Sequence, residues 1–320
     1  MPPFKPPKND NISLGLKDLV PSEFEGTDQY LDVVTWNIRY FHDLDKQRVN
    51  RVVDILSALN ADIIVLQEIR DKSLEVVAEK LAKAGAGNYE VNYGTTGGNQ
   101  RVAIMHDLDW VRSKDDVREL FSKGQIKADS KDAFPRLPLL GIFTTVSPDA
   151  TGASQPFDFQ LLGLHLKSQR GGGGSQRRKA AEALRNWLGQ EAPAVDADVM
   201  LLGDWNAPPD DTAWSPLDEL EQQGKAKFQS INDKTNISHL MYKNKQNIGS
   251  RLDLGAISMA AFDELYKPPE PVQWKSLDKL LATNPKAKQI RNYIKQVREK
   301  ISDHLPVVVR FYIDEQSPAS

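Results

Sequence analysis

Short apolar runs that pass straight into turns dominate the chain and rule out a helical bundle. Nine such runs read as buried strands: 31–36, 61–67, 89–93, 101–105, 139–146, 157–166, 199–202, 252–258 and 307–313. Many follow one another with no helix between them, which predicts largely antiparallel pairing. Between the first two, Val49, Val52, Val53, Leu56 and Leu59 repeat at helical spacing and give one apolar face. A second helix fits 176–188, with Ala180, Leu184, Trp187 and Leu188 on one side, and a third covers 277–300. Stretches 121–138, 147–156, 169–176 and 205–216 carry glycine, proline and polar residues and read as loops. The expected class is α/β, with two mixed, mostly antiparallel sheets packed face to face and helices outside. Residues 1–28 read as an extended arm, 29–313 as one catalytic domain and 314–320 as a tail.

What stands at the ends of these runs is chemically pointed. The first ends at Asn37, the second at Glu68, and 157–166 contains His165. Run 199–202 leads into Asp204 and Asn206, the run near 252 carries Asp253, and the last is preceded by Asp303 and His304. Carboxylates and carboxamides are hard oxygen ligands suited to Mg²⁺, with Mn²⁺ or Ca²⁺ as alternatives. Histidine moves protons near neutral pH. Singly, each residue has a plainer explanation: a solvated strand end for Glu68, a turn cap for Asp303, a core histidine for His165. Their co-occurrence and order favour a site.

Composition narrows its chemistry. The 320 residues include no cysteine, so disulfides, thiolate metal sites and cysteine nucleophiles are excluded. The net charge of −3 means that any phosphate ligand must be met by a local basic patch or a bound cation. No apolar run is long enough to span a bilayer as a helix. The first residues lack a secretory-type apolar stretch, so the cytoplasm is the default expectation and a secreted or periplasmic location the alternative.

The segments VVTWNIR (33–39), VLQEIRD (65–71), LGLHLKS (162–168), VMLLGDWNAP (199–208), SRLDLGAIS (250–258) and ISDHLPVVV (301–309) together resemble the endonuclease/exonuclease/phosphatase superfamily, which is deoxyribonuclease I-like, in its bacterial-type nuclease branch. The resemblance implies a four-layered α/β sandwich with the site at one end of the two sheets. It also implies roles. Asn37 and Glu68 would hold the metal, with Asp303 beside them and serving a second metal. Asp204 would orient or deprotonate the attacking water, or assist the leaving group, and Asn206 would donate to a phosphate oxygen. His304, oriented by Asp253, would contact the phosphate, and His165 would act from the opposite side. Hydrolysis of an anionic diester needs charge neutralisation and an in-line water, which such a set can supply.

The substrate is less sharply written. A histidine at 165 fits the deoxyribonuclease I and sphingomyelinase branches rather than the exonuclease III-like enzymes, and Leu254 after Asp253 departs from the inositol 5-phosphatase signature. Arg70, Arg136, Lys167 and Arg170 are candidate substrate contacts. Arg177, Arg178 and Lys179 serve equally well as a solvated first helical turn. The glutamate that pairs with the strand histidine in deoxyribonuclease I has no counterpart in 93–101. The leading expectation is an endonuclease cutting DNA, and RNA as a second polymer, with little base preference. A sphingomyelinase-type lipid phosphodiesterase is the alternative and would need exposed aromatic or aliphatic loops at the membrane, for which Trp214 and Trp274 are the candidates. A non-catalytic binding member of the superfamily is the third.

Overall fold

The computed structural model describes residues 19–146, 155–229, 237–244 and 247–314. Two large sheets carry the fold. The first contains β1 (Tyr30–Phe41), β2 (Ile63–Ile69), β3 (Tyr89–Tyr93), β4 (Arg101–Asp107), β16 (Leu265–Pro271) and β17 (Val307–Tyr312), in the order β16-β17-β1-β2-β4-β3. The second contains β5 (Val111–Ser113), β9 (Leu139–Thr145), β10 (Asp158–His165), β11 (Val199–Asp204), β12 (Ala226–Gln229) and β15 (Asp253–Ser258), in the order β12-β15-β11-β10-β9-β5. The short strand β6 (Arg118–Glu119) also pairs with β9. Two separate hairpins complete the set: β7 (Lys127–Ala128) with β8 (Lys131–Asp132), and β13 (His239–Asn244) with β14 (Asn247–Ser250).

Each large sheet has one parallel pair at its centre. β1 and β2 run parallel and are connected through helix α1 (Lys46–Leu59). β10 and β11 run parallel and are connected through α3 (Gly174–Asn186). Every other pairing in the two sheets is antiparallel. Open α/β sheets place their sites beyond the carboxyl ends of parallel strands. Here those ends carry Asn37 and Glu68 on one sheet, His165 and Asp204 on the other.

Strand alternation builds the layers. In β1, Val33 faces the interior between the sheets with Val65, Ile104, Phe143, Phe159, Leu202 and Phe311. Its neighbours Val34 and Trp36 face outward against Val49, Val52 and Leu56 of α1. On the far side, Leu162, Leu164 and Leu201 meet Ala180, Leu184 and Trp187 from α3 and the turn after it. The result is the four-layered sandwich. The Asp45 carboxylate caps α1 by accepting from the Arg48 backbone N–H at 3.1 Å.

Some expectations shift. Leu19 is fully buried and Phe24 nearly so, so the chain is packed against the core from Leu19, well before residue 29. The single helix expected over 277–300 is two, α5 (Lys275–Ala282) and α6 (Ala287–Lys300). Pro285 lacks a backbone N–H and biases its predecessor away from the α region, and Asn284 adopts φ +48. Helices α2 (Glu75–Ala84) and α4 (Ser215–Gln222) were not anticipated. Trp214 and Trp274 are both buried, which removes them as membrane-facing side chains. Among the described residues no helix is long and apolar enough to cross a membrane. Residues 1–18 of the expected arm and 315–320 of the expected tail lie outside the described residues.

Candidate active site

The metal-side wall begins with two irregular strand ends. The β1–β2 register shifts between Asn37 and Phe41, and the β2–β4 register shifts between Leu66 and Ile69. Arg39, Tyr40 and Glu68 take positive φ values of 43°, 47° and 62°. Asn206, across the cleft, is at 59°. Non-glycine residues are costly there, and such strain collects at functional sites. Buried Arg48 holds the β1 distortion in place. Its guanidinium donates to the carbonyls of Ile38, Arg39 (2.6 Å) and, from Nε, Ile301 (3.0 Å). The bulge aims the Tyr40 N–H at Glu68 Oε2 (3.0 Å). Asn37 Nδ2 lies 3.5 Å from Glu68 Oε1 and donates to Asp204 Oδ2 at 2.9 Å, joining the two sheets across the cleft.

The opposite wall comes from β10 and β11. His165 and Asp204 are register partners, with His165 Nε2 3.6 Å from Asp204 Oδ2. Asn206 donates to Asp204 through its backbone N–H (2.9 Å to Oδ1) and through Nδ2 (3.1 Å to Oδ2). That Nδ2 also donates to the Leu166 carbonyl at 3.0 Å. The Asn206 amide, expected to face a phosphate oxygen, is thus turned inward and positions Asp204.

His304 is fixed by three backbone ties. Trp36 Nε1 donates to the His304 carbonyl (2.9 Å), the His304 N–H donates to Ser302 Oγ (3.1 Å), and that hydroxyl donates to the Asn37 carbonyl (2.7 Å). Its ring meets Asp253 Oδ2 at Nδ1 (2.7 Å) and faces Asp204 Oδ2 at 4.0 Å from Nε2. Burial alone would lower the imidazole pKa, but Asp253, Asp204 and Asp303 together raise it to about 10. His304 is therefore a cation at neutral pH. Burial pushes Asp204 above the ordinary carboxylate range, against the opposing pull of His304 and of hydrogen bonds from Asn37 and Asn206. His165 goes the other way: burial, with Arg136 and His304 nearby, holds it well below 6.5. Its Nδ1 is buried without a hydrogen-bond partner, as the missing carboxylate in 93–101 suggested. A histidine held neutral in this way, with no carboxylate partner at Nδ1, is a poor proton donor.

Two carboxylate groupings suit a cation differently. Ligand atoms of Asp204, Asp253 and His304 lie within 4.8 Å of one another. The His304 Nδ1 is already committed to Asp253, however, so these three side chains hold one another as a hydrogen-bonded array. Glu68 offers an oxygen donor on the cleft wall, where its Oε1 has only the distant Asn37 contact, so it suits a hard cation; Asn37 is buried beside it, with its Oδ1 accepting from the Arg39 N–H at 2.9 Å. Asp303 Oδ2 is taken up by Arg298 Nε (3.2 Å) and Arg39 Nε (3.6 Å), so a second metal there would have to displace two arginines.

Glu68, Asn206, Asp303 and His304 line one cleft of about 680 Å³. Arg170 also lines it. Arg136 is half-buried behind it, donating to the Leu166 carbonyl at 2.7 Å. Lys167 folds back onto the carbonyls of Ser168 (3.2 Å) and Arg170 (3.0 Å), bracing its own loop. Arg70 is exposed beyond the end of β2 and is not among the cleft-lining residues. The cleft also draws in Arg39, Tyr40, His239, Lys243 and Arg298, none of which the sequence singled out. His239 lies ring against ring with His304, centroids 4.6 Å apart.

The profile of the Endonuclease/Exonuclease/phosphatase family matches residues 34–218. No curated protein matches the chain in sequence. Several solved structures share the fold. An endonuclease/exonuclease/phosphatase family protein from Bacteroides thetaiotaomicron is 16% identical, with a TM-score of 0.59, covering 91% of this chain and 98% of its own. The human Nocturnin catalytic domain with bound sulfate anion is 15% identical, with a TM-score of 0.55, covering 88% and 94%. Truncated TDP2 from Caenorhabditis elegans is 18% identical, with a TM-score of 0.52, covering 90% and 99%.

Proposed function

The chain belongs to the endonuclease/exonuclease/phosphatase family, and from that premise we propose that it is a divalent-metal-dependent phosphodiesterase whose substrate is nucleic acid, DNA first. The observation that carries this reading is the buried Asp253–His304–Asp204 array, which presents an imidazole held between two carboxylates to the same cleft that Glu68 lines. An anionic diester would be received by the His304 imidazolium, whose charge Asp253 sustains from behind. Asp204 takes the attacking water. Three N–H donors from Asn37 and Asn206 saturate Oδ2 and one side of Oδ1, leaving a single lone-pair direction on Oδ1 to receive a proton. Its raised pKa makes it a stronger base than an ordinary carboxylate. Asn37 and Glu68 would hold the cation, Mg²⁺ first, with Mn²⁺ or Ca²⁺ as alternatives. When bound, a divalent cation supplies Lewis-acid charge neutralisation to the phosphate. Neutral His165 lies behind Asp204, its Nε2 3.6 Å from Oδ2, and half-buried Arg136 donates to the Leu166 carbonyl next to it.

Nucleic acid is favoured over lipid because the cleft rim carries Arg170 and Lys243 beside the Asp303-paired Arg39 and Arg298, and its exposed apolar side chains are only Tyr40 and Met241, with Trp214 and Trp274 buried. The sulfate bound to the Nocturnin catalytic domain is consistent with anion binding by this fold. The test is a panel of supercoiled plasmid, linear DNA, RNA and sphingomyelin, each with Mg²⁺, Mn²⁺ or Ca²⁺. Metal-dependent plasmid nicking that His304→Ala abolishes is expected. Lipid hydrolysis with nucleic acid untouched, or nicking unaffected by His304→Ala, refutes the reading.

A further inference from the structure

A second groove opens from the catalytic cleft along helix α6. Lys288, Arg291, Lys295 and Arg298 recur every three or four residues, which sets them on one stripe of the helix. Ile290, Tyr293, Ile294 and Val297 anchor the rest of α6 to the core. The groove, about 430 Å³, is lined by Arg39, Tyr242, Arg291, Lys295 and Arg298; its one lining carboxylate, Glu299, lies 3.8 Å from Lys295, and Asp303 of the adjoining cleft holds Arg298 (3.2 Å) and Arg39 (3.6 Å). Arg39 and Arg298 line both this groove and the catalytic cleft, so the two adjoin. Strand β13 runs between them: His239 at its start lies against His304, and Tyr242 carries the Arg291 guanidinium over its ring at 4.6 Å.

A row of cations on a helix is usually only a solvated face. Two observations set this one apart. The charge is local, because the chain as a whole is at −3. And among the described residues no carboxylate pairs with Arg291, whose guanidinium is instead seated on an aromatic ring. A stacked guanidinium keeps its N–H donors directed outward at fixed geometry. At 1.5 Å per residue, Arg291 to Arg298 spans about 10 Å, the axial length of about three phosphates on one strand.

We propose that this groove is the track for the flanking strand of a nucleic-acid substrate, gripping its phosphates on one side of the bond held in the cleft. The proposal deepens the phosphodiesterase reading and rests on it. Phosphate contacts of this kind fix register and carry no base preference.

The test measures binding apart from cleavage. A fluorescently labelled single strand of about 20 nucleotides is titrated with the full chain in excess chelator, at several salt concentrations. Native protein is compared with Arg291→Gln/Lys295→Gln, and thermal unfolding checks that both are folded. The double variant should weaken binding on the order of tenfold and reduce the log–log salt slope by about 1.4, two contacts at roughly 0.7 each. Unchanged affinity and slope overturn the proposal. So does a native protein that fails to bind the strand, or a variant defect seen only with phosphatidylglycerol vesicles. Turnover of bis(p-nitrophenyl) phosphate, which reaches only the cleft, is followed in parallel. Binding lost in the variant while native protein cleaves no diester with any divalent ion leaves the track standing and removes the hydrolase reading. Cleavage with variant binding unaltered does the reverse.

Discussion

Replacing Asp253 by Asn tests the electrostatic core of the site with almost no change in shape. The amide oxygen can still accept from His304 Nδ1, now 2.7 Å from the carboxylate, but the charge is gone. A pKa of about 10 against the ordinary 6.5 of imidazole corresponds to roughly 5 kcal/mol in favour of the cation in a fully buried ring. Asp253 supplies both a charge and a hydrogen bond to that preference, while burial, the largest single influence, opposes it. Without Asp253 burial should win, and His304 should be neutral at pH 7. Loss of one preorganised charge at a developing anion costs about 3–4 kcal/mol, or about 10²–10³ in kcat. The assay is plasmid nicking from pH 5 to 10, paired with an NMR titration of the His304 ring. In the native protein the ring should stay protonated well above neutrality. Its stabilising contribution is complete below about pH 6.5 and lost as pH rises through about 10. In the variant the remaining activity should move to the acid side. A variant whose ring stays protonated at pH 8, with kcat within about threefold of native, refutes the reasoning.

Three further outcomes are expected. Excess chelator should abolish nicking and added Mg²⁺ restore it, whereas Glu68→Gln should not be rescued at the same Mg²⁺ concentration; undiminished turnover in chelator would remove the metal from the chemistry. Asp62 is pushed well above the usual carboxylate range by burial, so its ionisation works against the fold as pH rises above about 3.9; Asp62→Asn, which keeps an acceptor for the Asp32 N–H, should raise Tm at pH 8 and gain little near pH 3.5, and a lower Tm at pH 8 would count against this. Gly203 sits at φ +153°, and a Cβ there would fall 2.1 Å from the Leu164 carbonyl oxygen, so Gly203→Ala should cost about 2–4 kcal/mol in chemical denaturation, while Gly174→Ala, with nothing within 4 Å at the start of α3, should be neutral or slightly stabilising; equal effects of the two would contradict the packing described.

Much of the centre was legible in the sequence because strand ends announce themselves. An apolar run followed at once by Asn37, Glu68, His165 or Asp204 places that side chain at a sheet edge, and four such edges must share a small space once the sheets stack. What escaped lies where backbone geometry, not residue pattern, decides direction. Arg39 and Tyr40 reach the cleft because β1 bulges at positive φ, which no periodicity encodes. His239 sits on a hairpin strand with no apolar alternation, since Leu240 is the one buried residue of β13. Arg70 stands apart from the cleft lining for the complementary reason: the Glu68 irregularity turns the chain, and two residues later the side chain is exposed to solvent. The break in 277–300 was visible in Pro285, but the apolar spacing on either side of it disguised the stop.

The position of Gly163 ties the innermost packing to the working end of the molecule. A methyl group there would meet Val65 at 2.8 Å and Val102 at 3.1 Å, both from the facing layer. Two residues along the same strand is His165; three along from Val65 is Glu68. The width of this gap is thus a dial on how far apart the two halves of the catalytic apparatus stand. Engineering that fills the midline for heat resistance would retune reactivity at the same time, and the least conspicuous residue in the chain would be where that trade is decided.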